Sequence, residues 1–186
     1  MPKDESCADQ NLLRAAAGGD KQAFGILYEK YNKPIYQYLF YRLGERTEAE
    51  DMTEKVFLRL WENLPRDIHR GGIQDVRAWL YRVAHNLMVD FYRSKKPEQA
   101  IDPFEDNLHG EPSPHEVIES QHLTREVIKA IQQLDEKSQH VILLRFLEGL
   151  SHKETASATG ISEGHVRIIQ FRALKKIKDL LGYDHE

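Results

Sequence analysis

The sequence has little of what secreted and membrane proteins need. Cys7, in what we expect to be a frayed terminus, is the only cysteine among 186 residues. One chain can therefore form neither a disulfide framework nor a zinc site built on several cysteines. No apolar run approaches the roughly 20 residues of a membrane-spanning helix, and residues 1–10 are too polar and acidic for a secretory signal. We expect a cytoplasmic protein without membrane contact of its own.

Motifs typical of enzymes are missing as well. The chain has no glycine-rich loop that could cradle a phosphate and no nucleophile motif. His115 and His122 would lie two turns apart on a helix, which is wider than the i, i+4 spacing of a helical metal-binding pair. The sequence thus favours neither an enzyme nor a protein with a metal or another cofactor.

The composition is that of a folded protein whose nucleic-acid contacts, if any, are local. Hydrophobic residues make up 40% and charged residues 30% of the chain, a balance typical of folded domains. The formal net charge of −4 argues against nucleic-acid binding over the whole surface. It leaves local basic faces open, because the distribution of charge matters more than its sum.

Helical spacing of apolar residues, without an alternating strand pattern, predicts an all-α fold. Two small helical domains are expected, over residues 1–97 and 114–186. The linker between them, residues 98–113, contains prolines and acidic residues but no lysine or arginine, so we expect it to be flexible.

Prolines set the predicted helix boundaries of the first domain. Pro34 should split the first helical run into two helices, because a proline lacks the backbone N–H that a helix interior needs. A third helix over residues 48–64 should stop at Pro65. A fourth helix spans residues 75–96, and its expected core face consists of Val76, Leu80, Val83, Leu87 and Phe91.

The second domain carries the strongest motif of the chain. A helix over residues 136–148 precedes a short helix that starts at a capping box of Ser151 and Glu154. A turn at Gly160 leads to a last helix, which Ser162 caps. This order is typical of a helix-turn-helix, in which the second helix enters the major groove of DNA.

The exposed side of the last helix offers groups that can read bases. Arginine pairs with guanine, glutamine pairs with adenine, and glutamate accepts from cytosine, while further cations can neutralise phosphates. Ala156 is small where the two helices should approach each other. An ordinary surface helix is the alternative. The candidate DNA-contacting residues are Ser162, Glu163, His165, Arg167, Gln170, Arg172 and Lys175.

Two faces of the first domain also indicate partners. Large apolar groups lie beside acids on a second side of the third helix, which is typical of a protein-binding face: Asp51, Glu54, Phe57, Leu58 and Trp61. The fourth helix combines aromatic and cationic groups, which suits single-stranded bases: Arg77, Trp79, Arg82, Asn86 and Arg93. A fully packed central helix and an ordinary surface face are the respective alternatives.

Three segments together resemble one family. Residues 47–61 look like the polymerase-binding helix of the extracytoplasmic-function (ECF) sigma factors, a subfamily of bacterial sigma-70 proteins. Residues 77–90 resemble the helix with which that family melts promoter DNA and reads the minus-ten element. Residues 143–156 and 160–167 are similar to its minus-thirty-five-reading module.

The resemblance implies a transcription initiation factor that binds core RNA polymerase and promoter DNA and that an anti-sigma protein can hold inactive. The face around Trp61 would dock on the clamp of the polymerase, and the loop over residues 66–74, with Ile68, would receive a flipped minus-ten base. The acidic linker would thread the RNA exit path or serve as a plain tether. The fourth helix would contact the melted strand, and the last helix would read the minus-thirty-five duplex.

Some residues depart from the family pattern. Lys55 stands where an acid is usual, so we expect the polymerase contact to differ locally. Ile168 and Ile169 stand where many members carry polar or basic residues, which leaves the exact DNA contacts open and would allow the last helix to pack more deeply on its own domain. A stand-alone helix-turn-helix regulator, which would bind duplex DNA without polymerase, remains an alternative at this point.

Overall fold

The computed structural model describes residues 3–67, 73–94 and 125–182. Over these ranges the regular structure is helical and contains no strand, which confirms the all-α fold. The chain divides into two compact units, as the prediction of two helical domains requires. The predicted linker, Ile68 and the pair His115 and His122 lie outside the described residues.

Each unit is a small set of packed helices. The first is built mainly from four: α1 (Lys3–Ala17), α2 (Lys21–Leu43), α3 (Arg46–Asp67) and α4 (Val76–Ser94). The second contains α5 (Arg125–Gln132), α6 (Glu136–Ile142), a π-helical turn (Leu143–Leu147), α7 (His152–Thr159) and α8 (Glu163–Leu180).

Helix α2 runs through Pro34 without a break, so the predicted split into two helices is wrong. A proline inside a helix costs about 3 kcal/mol. Packing before and after Pro34 in the sequence compensates for this cost. Leu27, Ile35 and Leu39 are fully buried along one face of α2, and each such side chain contributes roughly 1.5–3 kcal/mol to stability. Helix α3 likewise continues past Pro65, to Asp67.

The expected frayed terminus is wrong as well, because α1 is anchored by a buried ionic contact. Asp9 is buried and accepts hydrogen bonds from the Lys30 ammonium, at 2.7 and 2.9 Å, and from the Tyr31 hydroxyl. Burial, followed by the hydrogen bond to Asp9, raises the pKa of Tyr31 above its ordinary value. The phenol therefore keeps its proton and remains a donor to Asp9.

A second anchor joins α1 to the segment that leads into α4. The Gln10 amide donates hydrogen bonds to the carbonyl oxygens of Ile73, at 2.8 Å, and Gln74, at 2.6 Å. Asp75 follows and caps α4, because its side chain accepts from the Ala78 N–H at 2.9 Å. Helix α1 thus fixes where α4 begins.

The core face of α4 differs from the prediction. Val76 and Leu80 are buried as expected, but Val83, Leu87 and Phe91 are only half-buried. The core is instead formed by Ala78, Tyr81, Ala84 and Met88, together with Val76 and Leu80. Tyr81 packs edge-on against Tyr38 of α2, with ring centroids 5.4 Å apart. Apolar residues occur on more than one side of α4, so periodicity alone could not select the buried side.

In the second unit, the helix predicted to end at Glu148 leaves α-geometry at Ile142. The π-helical turn Leu143–Leu147 follows, and the Glu148 N–H donates to the Leu143 carbonyl at 3.0 Å. Leu147, in this turn, is half-buried. Each hydrogen bond of a π-helical turn spans one residue more than in an α-helix. Packing, rather than the local sequence, decides where such a turn forms.

Asp135 caps the start of α6. Its carboxylate accepts from the Ser138 backbone N–H at 3.1 Å. Burial acts to raise the pKa of Asp135, but the hydrogen bonds from Ser138 outweigh it and the pKa is lowered. A lowered folded-state pKa means that the cap stabilises the unit above the unfolded-state pKa and that this contribution is lost as the pH falls through the folded-state pKa.

The Asp9 contact predicts a measurable loss of stability. Asp9→Asn should lower the free energy of unfolding of the first unit by about 2 kcal/mol, because hydrogen bonds to a charged group are lost. Trp61 and Trp79, the two tryptophans of the chain, both lie in this unit, so their fluorescence during urea unfolding reports on it. Asp90→Asn, at an exposed site of α4, is the matched control. Equal stability of the two variants would contradict the anchoring role.

Candidate polymerase and nucleic-acid interfaces

The helix-turn-helix is confirmed in its caps and its turn. The Ser151 hydroxyl accepts from the Glu154 N–H at 3.1 Å, and the Glu154 carboxylate accepts from the Ser151 N–H at 2.6 Å. Gly160 ends α7 with a φ of 74°, a left-handed conformation that favours glycine. Ser162 then caps α8 by accepting from the His165 N–H at 3.3 Å.

Buried residues between α7 and α8 fix the angle of the second helix. Thr155 and Ala158 of α7 are buried, as is Val166 of α8. Ala156, which was expected at the closest approach of the helices, is only half-buried. The side of α7 that contacts α8 is therefore centred on Thr155 and Ala158 rather than on Ala156.

The outward side of α8 carries most of the predicted DNA-contacting residues. His165, Arg167, Arg172 and Lys175 are exposed. Arg167 forms an i, i+4 ion pair with Glu163, with 3.5 Å between Nη2 and Oε2. Both side chains are substantially exposed to solvent, so the ion pair contributes little to stability. It favours one arrangement of the two side chains relative to each other.

Gln170 has a different contact from the one predicted. It is half-buried, and its Oε1 accepts from the Nε of Arg145 at 3.0 Å. Arg145 also donates to the carbonyl oxygen of Leu150. Pairing with adenine requires both the oxygen and the nitrogen of the glutamine amide, and here the oxygen is engaged. Gln170 therefore braces α8 against the π-helical turn.

The two isoleucines of α8 differ in burial. Ile169 is half-buried, but Ile168 is 50% exposed, so the deeper packing that the sequence would allow for both is not found at Ile168. Phe171, at 72%, and Leu174 are exposed nearby on the helix. The outward side of α8 is thus partly apolar, a feature that we did not predict.

The predicted protein-binding face of α3 is present with one correction. Asp51 and Glu54 are exposed, as are Leu58, at 55%, and Trp61, at 39%. Phe57 is 3% exposed and belongs to the core rather than to this face. The burial of its ring leaves four of the five predicted residues available to a partner.

Helix α2 contributes residues to the same face that sequence reasoning missed. Phe24 packs edge-on against Trp61, with ring centroids 5.0 Å apart, and Tyr28 packs against Phe57 at 4.7 Å. Phe24 is half-buried and Tyr28 is exposed. Their i, i+4 spacing could have indicated a shared side of α2, but not which neighbour it meets.

Along α4, four of the predicted nucleic-acid-binding residues lie in one row. Arg82, Asn86 and Arg93 are exposed and Trp79 is half-buried, and 3.6 residues per turn place all four on one side of the helix. Arg77 falls on the opposite side, close enough to Tyr31 for its charge to act on the pKa of that phenol. Arg77 is therefore not part of the row.

The described part of the chain contains no group of three or more His, Cys, Asp or Glu side chains that could hold a metal ion. Within that same part, no helix combines the length and the apolar character needed to cross a membrane.

Comparison with known proteins identifies the family. The family model "Sigma-70 region 2" matches residues 27–98, and "Sigma-70, region 4" matches residues 130–179. The chain is 32% identical over 182 residues to the ECF RNA polymerase sigma factor BldN of Streptomyces coelicolor, covering 97% of this chain and 68% of BldN. The chain belongs to the ECF sigma factors. The ECF sigma factor SigW of Bacillus subtilis is similar too, with 31% identity over 166 residues, 83% of this chain and 87% of SigW.

Solved structures agree with the family. CnrH, in complex with the cytosolic domain of CnrY, has a TM-score of 0.71 and 27% identity, matching 96% of this chain and 99% of CnrH. The sigma factor RpoE of Bartonella quintana, in complex with the anti-sigma factor NepR, shares the fold with a TM-score of 0.62 and 16% identity, covering 87% of this chain and 98% of RpoE. The chain is a promoter-specific transcription initiation factor that acts with core RNA polymerase.

The contact between Arg145 and Gln170 can be tested by a double-mutant cycle. Arg145→Ala and Gln170→Ala should each destabilise the second unit, and the double variant should be more stable than the sum of the two losses implies, with a coupling of about 1 kcal/mol. Thermal unfolding followed by circular dichroism measures all four proteins. Strictly additive losses would contradict the brace.

Proposed function

We propose that this ECF sigma factor docks on core RNA polymerase through the side of α3 that bears Leu58 and Trp61. The supporting observation is that these two large apolar side chains stay exposed in a helix whose Val56, Phe57 and Leu60 are buried. Exposed apolar groups next to the acids Asp51 and Glu54, such as these, form a typical protein-binding surface. Lys55 is exposed beside them and adds a cation to this acidic face.

The row on α4 is assigned to melted promoter DNA. Trp79 can stack on an unpaired base, and the guanidinium groups of Arg82 and Arg93 can bind phosphates. Asn86 lies between them with both amide donor and acceptor groups available for a base edge. The segment predicted to receive a flipped minus-ten base, which includes Ile68, keeps that assignment in the proposal.

Helix α8 is assigned to the minus-thirty-five duplex. Its amino-terminal turn presents His165 and Arg167, and arginine can read guanine through two hydrogen bonds. Arg172 and Lys175 follow on the exposed side and are suited to phosphate contacts. Ser162 and Glu163 contribute through the cap and the ion pair that order this turn.

The organisation of the chain and its setting complete the proposal. We assign residues 1–97 to polymerase binding and promoter melting, residues 98–113 to a linker, and residues 114–186 to minus-thirty-five recognition. The chain would carry out no catalysis of its own, and it would act in the cytoplasm, where polymerase and DNA are found. Because the family resemblance implies control by an anti-sigma protein, and because CnrH was solved with a partner, the cytosolic domain of CnrY, we include an anti-sigma protein among the partners.

Run-off transcription tests the proposal as a whole. Core polymerase from the source organism is incubated with genomic fragments, with and without the full chain. Discrete new transcripts are expected only when the chain is present, and their start sites define both promoter elements. Sequence-specific binding of the free chain to duplex DNA, without new transcripts, would instead favour a stand-alone regulator.

Polymerase binding is expected to depend on the exposed apolar pair. Leu58→Ala combined with Trp61→Ala should abolish holoenzyme formation in gel filtration with core polymerase, because interface energy concentrates in such anchors. Ile26→Ala is the matched control, since Ile26 is exposed in the same unit but lies on the other side of α2 from Tyr28. Normal assembly of the double variant, with an unchanged circular dichroism spectrum, would reject the face.

If Arg167 reads a base, we expect its loss to weaken the binding of the holoenzyme to promoter DNA. Arg167→Ala should weaken holoenzyme binding to the mapped promoter by about 1–3 kcal/mol and relax the preference for one base pair. Lys137→Ala, which removes an exposed cation from α6, serves as the control for net charge. If the two variants lose affinity equally, Arg167 contributes only charge.

A further inference from the structure

Two residues on the outward side of α8 are not explained by packing within the protein. Gly164 is exposed, and a Cβ atom added to it would meet nothing within 4 Å. Ile168, one turn later, is half exposed. Gly164 is the second residue of α8 and has no neighbour that excludes a Cβ atom, and the exposed half of the Ile168 side chain gains nothing from burial. The fold itself therefore requires neither residue.

Helix geometry brings the two residues together. Positions i and i+4 are neighbours on a helix surface, and side chains lean toward the amino terminus of their helix. The Ile168 side chain therefore covers the turn that contains Gly164, where the missing side chain leaves the backbone open. The result is a small apolar surface near the start of α8, in the part of a recognition helix that meets base edges.

The charges around this surface indicate what covers it. Arg167, Arg172 and Lys175 are exposed on the same helix, and a cationic surround is complementary to the phosphates that border a DNA groove. Within the major groove, the apolar feature that a base presents is the C5 methyl group of thymine. Phe171, at i+3 from Ile168 and 72% exposed, continues the apolar surface along the helix. An apolar surface flanked by cations suits a thymine methyl group that lies between phosphates.

We propose that Gly164 and Ile168 form a contact surface for a thymine methyl group in the minus-thirty-five element, which makes Ile168 a specificity-determining residue. The proposal rests on the assignment of α8 to that element. Gly164 lets the groove approach the helix, and Ile168 excludes water from the methyl group. The departure of Ile168 from the family pattern then has a function in base selection.

Replacing thymidine by deoxyuridine tests this directly, because the change removes only the methyl group. The probes are duplexes of a promoter already mapped by run-off transcription, with each minus-thirty-five thymine replaced in turn, and the protein is the full chain in holoenzyme. At one thymine, deoxyuridine should weaken binding to the wild type about threefold to fivefold. The same replacement should have no effect on Ile168→Ala.

Leu180→Ala is the matched control, because Leu180 is an exposed apolar residue at the other end of α8. It should retain the full deoxyuridine effect. Absence of any sensitive thymine, or an equal deoxyuridine effect in wild type and Ile168→Ala, would overturn the proposal. Since the promoter is mapped beforehand, such a result would leave the function as a sigma factor intact.

Gly164→Ala provides a second variant. Alanine should leave the second unit at least as stable as the wild type, because its Cβ atom would meet no neighbour and alanine is the better helix former. It should also weaken promoter binding severalfold and reduce the deoxyuridine effect, because its methyl group occupies the approach to the groove. Undiminished stability with unchanged promoter binding and an unchanged deoxyuridine effect would contradict the role of Gly164.

Discussion

Burial of one face of α2 is the constraint on which the first unit depends. Leu27, Ile35 and Leu39 are fully buried, and they keep the helix continuous across a proline that would otherwise end it. Because α2 is a single long element, it can present Tyr38 to the core side of α4 and also place Phe24 and Tyr28 beside α3. The exposed face of α3 therefore owes its position to packing that begins at the centre of α2.

The same core accounts for which apolar residues are left outside. The sequence pattern predicted Phe57 as an interface residue, but its ring is buried in the core, where it packs against Tyr28. Leu58 and Trp61 remain on the surface of α3. In the second unit, Val166, Ala173 and Ile177 meet the core, while Ile168 points away from it. Once the core is complete, the remaining exposed apolar groups have no further role in folding, and a binding function becomes the natural explanation for them.

Local chemistry was predictable from the sequence and long-range chemistry was not. The Ser151 capping box, the turn at Gly160 and the Ser162 cap were all identified, because each depends on residues within a few positions of one another. The helical state of α1, the continuity of α2 and the π-helical turn were missed, because partners far along the chain decide them. Gln170 illustrates the limit at the site: its residue type fits adenine, but its partner is Arg145, 25 residues earlier.

Charge distribution explains why such a chain should need polymerase to use its DNA-reading surfaces. The net charge is −4, and the acids of α3 lie on the proposed docking face while the cations of α8 lie on the proposed DNA face. A few cations on one helix can neutralise only a few phosphates, which supports weak binding at physiological salt. Docking through α3 would hold both DNA-reading surfaces near the promoter and convert their binding into effectively intramolecular steps. On this view the protein interface supplies the affinity, and the side chains of α4 and α8 are left to supply the selectivity.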